Sequence, residues 1–191
     1  MAHLGLGEVR WIPAGNPPHR GLPQVTAAQR LRMVQMATAD NPRFSVDPAE
    51  VDSQAPSYTV LTLERLRREF GGGRPLVLLV GADAFAGLSS WHRWTDIFAF
   101  AHVAVSHRPG FPVEVSSLPP ALAEQFRQRR LLAVDALKTA PAGGIVTFAM
   151  TQLAISATQI RLLIANGKSA RYLLPDAVLD YISSHSLYRN P

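Results

Sequence analysis

The sequence predicts an α/β fold, a parallel sheet flanked by helices, and three observations carry that expectation. Short apolar runs alternate with helix-spaced segments along the whole chain. The run at 76–80 suits a strand buried in a parallel sheet, and those at 102–106 and 145–150 read as further strands. Polar residues cluster just after the runs, at 16–20, 81–83, 107–108 and 156–161. Open parallel sheets bind their ligands there, beyond the carboxyl ends of the strands.

Taken in order, GEVRWIP at 7–13 reads as a short strand running into a Pro/Gly-rich loop, 14–23. Residues 26–40 place Leu31, Val34, Met36 and Ala37 at helical spacing, with Thr26 as the cap. Phe44-Ser45-Val46 is a short strand. Residues 59–70 put Val60, Leu63, Leu66 and Phe70 on one helical face, and Gly71-Gly72-Gly73 ends that helix. Leu76 to Val80, bounded by Pro75 and Gly81, is the most apolar strand and is expected to be buried. HVAVS at 102–106 is the next strand, 121–130 a helix, and IVTFAM at 145–150 another strand. Helices at 157–166 and 175–184 close the chain, the first ended by Gly167 and the second begun by Pro175.

The 191 residues are 47% hydrophobic and 17% charged, a globular rather than a disordered balance, and one domain over 1–191 is expected. With no cysteine, disulfides and thiolate metal sites are excluded, and a reducing, cytoplasmic setting fits. No signal peptide is read at the start, and the longest apolar stretch, 75–88, is too short and too polar to span a bilayer. Among nineteen basic residues only Lys138 and Lys168 are lysine. Arginine makes planar, bidentate contacts with phosphate. The net charge of +5 suits nucleic acid or a phosphorylated small molecule. No dense basic cluster with interleaved aromatics supports nucleic acid, and Arg65-Arg67-Arg68 and Arg127-Arg129-Arg130 read as solvated helix faces.

The candidate chemistry sits in the polar clusters. In ISATQIR, Ser156 or Thr158 can cap a helix whose free N–H groups attract anions, with Arg161 one turn on. The commoner reading of such residues is an ordinary cap followed by an exposed arginine. Gly81 lets a ligand approach the backbone, and Asp83 either accepts bonds from ribose hydroxyls or caps the next helix. Trp91 and Trp94 either stack on a flat heterocycle or pack as core, and we expect Trp91 at the loop edge and Trp94 inside. Asn16, His19 and Arg20 lie in a proline-stiffened turn and either meet a phosphate or stay solvated. Ser57-Tyr58-Thr59 opens a helix, so it either holds a carboxylate or simply caps. No HExxH metal spacing, GxSxG elbow or Walker loop occurs.

Five segments stand together in order: IPAGNPPHR, APSYTVLTLERL, LLVGADAFAGLSSWHRWTDI, VSHRPG and ISATQIR, followed by LLPDAVLDYISSHSLY. The series resembles bacterial nicotinate-nucleotide adenylyltransferases from about Gly5 onward. The resemblance implies a Rossmann-like nucleotidyltransferase fold that moves AMP from ATP to nicotinate mononucleotide in NAD biosynthesis. The products would be deamido-NAD and pyrophosphate, with Mg2+ carried on ATP. It would place Tyr58, Thr59, Trp91 and His92 at the nicotinate, Trp91 by stacking and Thr59 with the backbone near His92 at the carboxylate. Asn16, His19 and Arg20 would line the mononucleotide phosphate. Gly81 and Asp83 would meet the adenylate, and Arg108, Ser156, Thr158 and Arg161 the ATP phosphates.

The family's opening strand and loop, GGxFDPxHxGH, do not occur in these 191 residues. The expectation is therefore a sheet without its first strand, in a chain starting roughly thirty residues into the domain. No catalytic residue is named from the sequence, and His3 is not counted as one. The activity of these residues alone stays open. Two alternatives stand beside it: a nucleotide-holding remnant without catalysis, and an adenylyltransferase with another acceptor, nicotinamide mononucleotide or phosphopantetheine. Oligomeric state is not legible.

Overall fold

The computed structural model describes residues 4–17, 24–151 and 153–189. The chain divides into two compact units. The first takes Met1–Leu6 and Tyr58–Gln152, and the second takes Gly7–Ser57 and Leu153–Pro191.

In the second unit, β1 (Val9–Trp11) pairs in parallel with β2 (Phe44–Val46). Helix α1 (Ala27–Thr38) joins them, and its start is fixed by a capping box. The Gln29 N–H donates to Thr26 Oγ1 at 3.2 Å, and the Thr26 N–H donates to Gln29 Oε1 at 2.9 Å. Helices α6 (Ala157–Ala165) and α7 (Asp176–Ser184) complete the unit. Its core gathers Val25, Val178, Ile182 and Leu187, with Met33 and Met36 of α1 packed against them. Ala37, expected on the apolar face, is exposed. Methionine is long enough to reach α7 and takes that role.

In the first unit, α2 (Thr59–Phe70) leads into β3 (Val77–Gly81), and Gly71, at φ +77°, ends the helix where a side chain would be strained. Strands β4 (His102–His107) and β5 (Ile145–Ala149) follow, and the sheet order is β3-β4-β5, all parallel. The register pairs Val77 with His102 and Gly81 with Ser106, so the three carboxyl ends lie along one edge. Between β3 and β4 come α3 (Ala82–Ala86), two single 3-10 turns and α4 (Ile97–Phe100). Helix α5 (Pro120–Arg129) lies between β4 and β5. The core runs from Val60 and Leu63 of α2 through Phe85, Leu88, Ile97 and Phe98 to Val103, Val105, Phe126 and Ile145.

Two expectations are corrected here. β3, the most apolar strand, is not the most buried: Leu79 is 42% exposed. Among the described residues it hydrogen-bonds to β4 alone and so lies at the edge of its sheet, while β4, between two neighbours, takes the buried position. Arg67, grouped above with solvated arginines, turns inward. Its guanidinium donates to the carbonyls of Gly71 (3.1 Å), Arg74 (2.6 Å), Pro141 (2.8 Å) and Phe100. Burial pulls its pKa below the usual arginine value.

Candidate functional site

The carboxyl edge of the β3-β4-β5 sheet gathers the first unit's candidates. Gly81 ends β3 and caps α3, with open space where a Cβ would stand, so a ligand can approach the backbone there. Asp83 lies in the first turn of α3, exposed, with no side-chain cap bond. The capping reading of Asp83 therefore fails, and its carboxylate faces solvent. Arg108 follows β4, also exposed, and its carbonyl accepts from His107 Nδ1 at 2.9 Å.

The aromatic group lies on the same connection. The His92 ring stacks on the Tyr58 ring, centroids 4.3 Å apart and planes 27° apart. Tyr58 is the residue before α2, and α2 starts with no side-chain cap and no acidic residue in its first turn. Its free N–H groups carry the positive end of the helix dipole. Thr59 is half-buried beside them. Trp91 is half-buried against the core, as expected for a loop-edge residue. Trp94 is half-buried too, rather than inside, and meets Phe98 edge to face at 6.4 Å.

Ser57 belongs to the second unit and does something sequence reasoning missed. Its Oγ accepts from the N–H groups of Gly15 (3.0 Å) and Asn16 (3.1 Å), while its own N–H donates to the Asn16 carbonyl at 3.0 Å. Arg30 adds bonds to the carbonyls of Ala14 (2.6 Å) and Gly15 (3.0 Å). A Cβ on Gly15 would fall 1.9 Å from the Glu50 carbonyl oxygen, so only glycine fits. Residues 14–16 after β1 are thereby fixed, with Asn16 exposed. His19 and Arg20 lie outside the described residues.

At the other end of that unit, Ser156 caps α6, its Oγ accepting from the Gln159 N–H at 3.1 Å. Thr158 is exposed. A groove of about 420 Å³ is lined by Ser156, Thr158, Gln159, Leu162, Leu163, Asn166 and Lys168. Arg161 is exposed and sits over the Tyr188 ring at 5.6 Å, outside that lining. Lys168 is the cation the sequence reading passed over, because eleven or so intervening positions separate it from the cap and a spacing argument does not reach that far. Among the described residues no group of three or more His, Cys, Asp and Glu is placed to hold a metal ion.

A family model described as cytidylyltransferase-like matches residues 2–163. The chain is 75% identical over 190 residues to a probable nicotinate-nucleotide adenylyltransferase of Dechloromonas aromatica, covering 100% of this chain and 88% of that protein. It is 46% identical over 189 residues to one of Pseudomonas aeruginosa, covering 98% and 86%. Among solved structures, the Plasmodium falciparum nicotinic acid mononucleotide adenylyltransferase complexed with NaAD superposes with a TM-score of 0.65 at 13% identity. That match covers 96% of this chain and 83% of the other, and it carries the fold alone.

Proposed function

The chain belongs to the nicotinate-nucleotide adenylyltransferases, within the cytidylyltransferase-like family, and on that premise we propose that it joins ATP to nicotinate mononucleotide. A phosphate oxygen of the mononucleotide attacks the α-phosphorus of ATP in line. The new P–O bond forms as the α–β bond breaks, deamido-NAD is made and pyrophosphate leaves. No covalent enzyme intermediate is needed, so the protein supplies position and charge.

Each unit contributes its own residues to this reading. In the first unit, Trp91 stacks on the pyridine, and Thr59 with the His92 backbone meets the carboxylate. Gly81 and Asp83 receive the adenylate, Asp83 accepting from ribose hydroxyls, and Arg108 takes phosphate. In the second unit, Ser156, Thr158 and Arg161 take ATP phosphates and Asn16 the mononucleotide phosphate, with His19 and Arg20 assigned to it from sequence alone. No catalytic side chain is assigned. The observation that carries the pyridine acid is the His92–Tyr58 stack, which ties the Trp91 turn to an uncapped, acid-free helix start.

The donor set does not form a resident metal site among the described residues. Mg2+ would arrive on the ATP substrate, which suits an ion that keeps its waters and binds phosphate. Its partners are ATP and nicotinate mononucleotide, and we assign it no nucleic acid. Among the described residues no helix is long and apolar enough to cross a membrane, and we place the enzyme in the cytoplasm as one nucleotidyltransferase domain over 1–191.

The test offers the chain ATP with each acceptor and follows dinucleotide and pyrophosphate. Nicotinate mononucleotide is expected to be used in preference to the amide, because the start of α2 favours a carboxylate. Equal or reversed preference, or adenylylation of phosphopantetheine instead, would overturn the reading.

A further inference from the structure

The turn that carries Trp91 and His92 is followed by a residue in an unusual state. Arg93 has φ +48° and ψ +41°, the left-handed region that side chains other than glycine and asparagine rarely occupy. Backbone strain of this kind persists where the surroundings over-determine it, and it collects beside binding residues.

The surroundings here are specific. Arg93 Nε donates to Asp96 Oδ2 at 2.8 Å, and Nη1 lies 3.9 Å from Glu64 Oε2. Asp96 belongs to the next turn of the same loop, whereas Glu64 is on α2. Helix α2 thus grips the turn twice, through Glu64 on Arg93 and through Tyr58 on the His92 ring. The backbone closes the rest: the Trp91 N–H donates to Leu88 O at 3.0 Å and the Trp94 N–H to Trp91 O at 3.2 Å. Exposed ion pairs add little to stability, so stability is a poor account of a strained arginine anchored between two carboxylates. Position is a better one. A turn fixed at both sides of His92 holds the His92 backbone and the Trp91 side chain in place for a ligand.

We propose that Arg93 is a positioning residue, acting through His92 and Trp91, and that its anchoring by Glu64 and Asp96 sets the preference for a pyridine carboxylate over a carboxamide. The proposal rests on the assignment of Trp91 and His92 to the nicotinate. A carboxylate needs donors held in place at two oxygens. A carboxamide offers an acceptor on one side only, and its NH2 opposes a fixed N–H donor, so loosening the turn removes a penalty against the amide as well as a gain for the acid.

The experiment titrates the full 191-residue chain by calorimetry with nicotinate mononucleotide, nicotinamide mononucleotide and ATP separately. Arg93→Gly accepts the left-handed backbone but loses both anchors. It is expected to weaken nicotinate mononucleotide roughly tenfold, to bring the acid-to-amide ratio toward one, and to leave ATP unchanged. Arg93→Lys, which keeps a charge between the carboxylates, is expected to restore most of the ratio. Glu64→Gln should lower the ratio alone and add nothing to Arg93→Gly, because both remove the same restraint. An unchanged ratio in Arg93→Gly overturns the proposal. So does an equal loss for all three ligands with a fall in melting temperature, the mark of a purely structural residue. If the unaltered chain binds neither mononucleotide, the nicotinate assignment itself fails, and this proposal with it.

Discussion

The two edges of the β3-β4-β5 sheet are built to opposite rules. At the amino edge, polar groups are turned inward and paired. His102, 1% exposed at the start of β4, accepts the Gly144 N–H at Nδ1 (2.9 Å) and donates from Nε2 to Ala140 O (2.8 Å). Arg67 closes four carbonyls around the same corner, and a Cβ on Gly144 would collide with Leu131 at 2.4 Å. At the carboxyl edge, Gly81, Asp83, His92 and Arg108 are exposed, and the start of α2 has no cap. One edge is spent on holding the strands together, while the other keeps donors and acceptors facing solvent, where a ligand can meet them.

The comparison breaks if the sealed edge proves soft. His102→Leu leaves the Gly144 N–H and the Ala140 carbonyl unpaired in a packed corner. A loss of about 2–5 kcal/mol is expected from two such groups. Denaturant unfolding measures it, and ligand affinity of the folded fraction should be unchanged. A loss below one kcal/mol, on the order of a single solvated bond, would mean that water replaces the ring.

Arg161→Ala extends the contrast to the second unit. Loss of a charge-assisted phosphate contact should weaken ATP by about 1.5–3 kcal/mol, with stability nearly untouched because the side chain is exposed. Arg171→Ala is the control, since that exposed arginine lies outside the motif, 3.9 Å from Asp176 and over the Tyr172 ring at 5.8 Å. If the two variants match, Arg161 belongs with the surface charges and Lys168 becomes the cation to substitute.

Trp91→Ala sharpens the boundary, because Trp91 is both packed on the core and at the open edge. Nicotinate mononucleotide should lose about 1–3 kcal/mol by analogy with base–aromatic stacking, while ATP holds. Some stability is expected to go as well. Parallel titrations and melting curves separate the two effects, and loss of both affinities together would return Trp91 to the core.

The smallest effect is expected at Lys138. Its bond to Asp135 at 2.7 Å holds that carboxyl below its ordinary range, but both side chains are exposed. A depressed carboxyl stabilises above its unfolded pKa, and that contribution fades as pH falls through the folded value. Lys138→Ala should lower melting only slightly at neutral pH, and the difference from the unaltered chain should vanish as pH falls through the carboxylate range. A drop that persists in acid would show that the lysine stem packs beside Gly5, where an added Cβ would stand 3.2 Å from it.

Local chemistry was legible in the residues themselves. The Thr26 cap, the Gly71 stop, the strand runs and the polar clusters after them follow from spacing and backbone preference within a few positions, and the ordered motifs identified the family. The decisions that needed the tertiary structure were all long-range. β3 has the more apolar sequence, yet β4 is buried because it lies between two neighbours, and no run of letters states its neighbours. Arg67 and Arg65 look alike in sequence, yet Arg67 closes on Pro141, seventy-four positions away. Ser57 binds the Gly15-Asn16 loop from forty-one and forty-two positions off, and His92 meets Tyr58 across β3 and α3. Sequence periodicity reports which face of an element is apolar, because that repeats every two to four residues. Which partner covers that face, and which polar group is held in place for a ligand, depends on contacts whose spacing has no period.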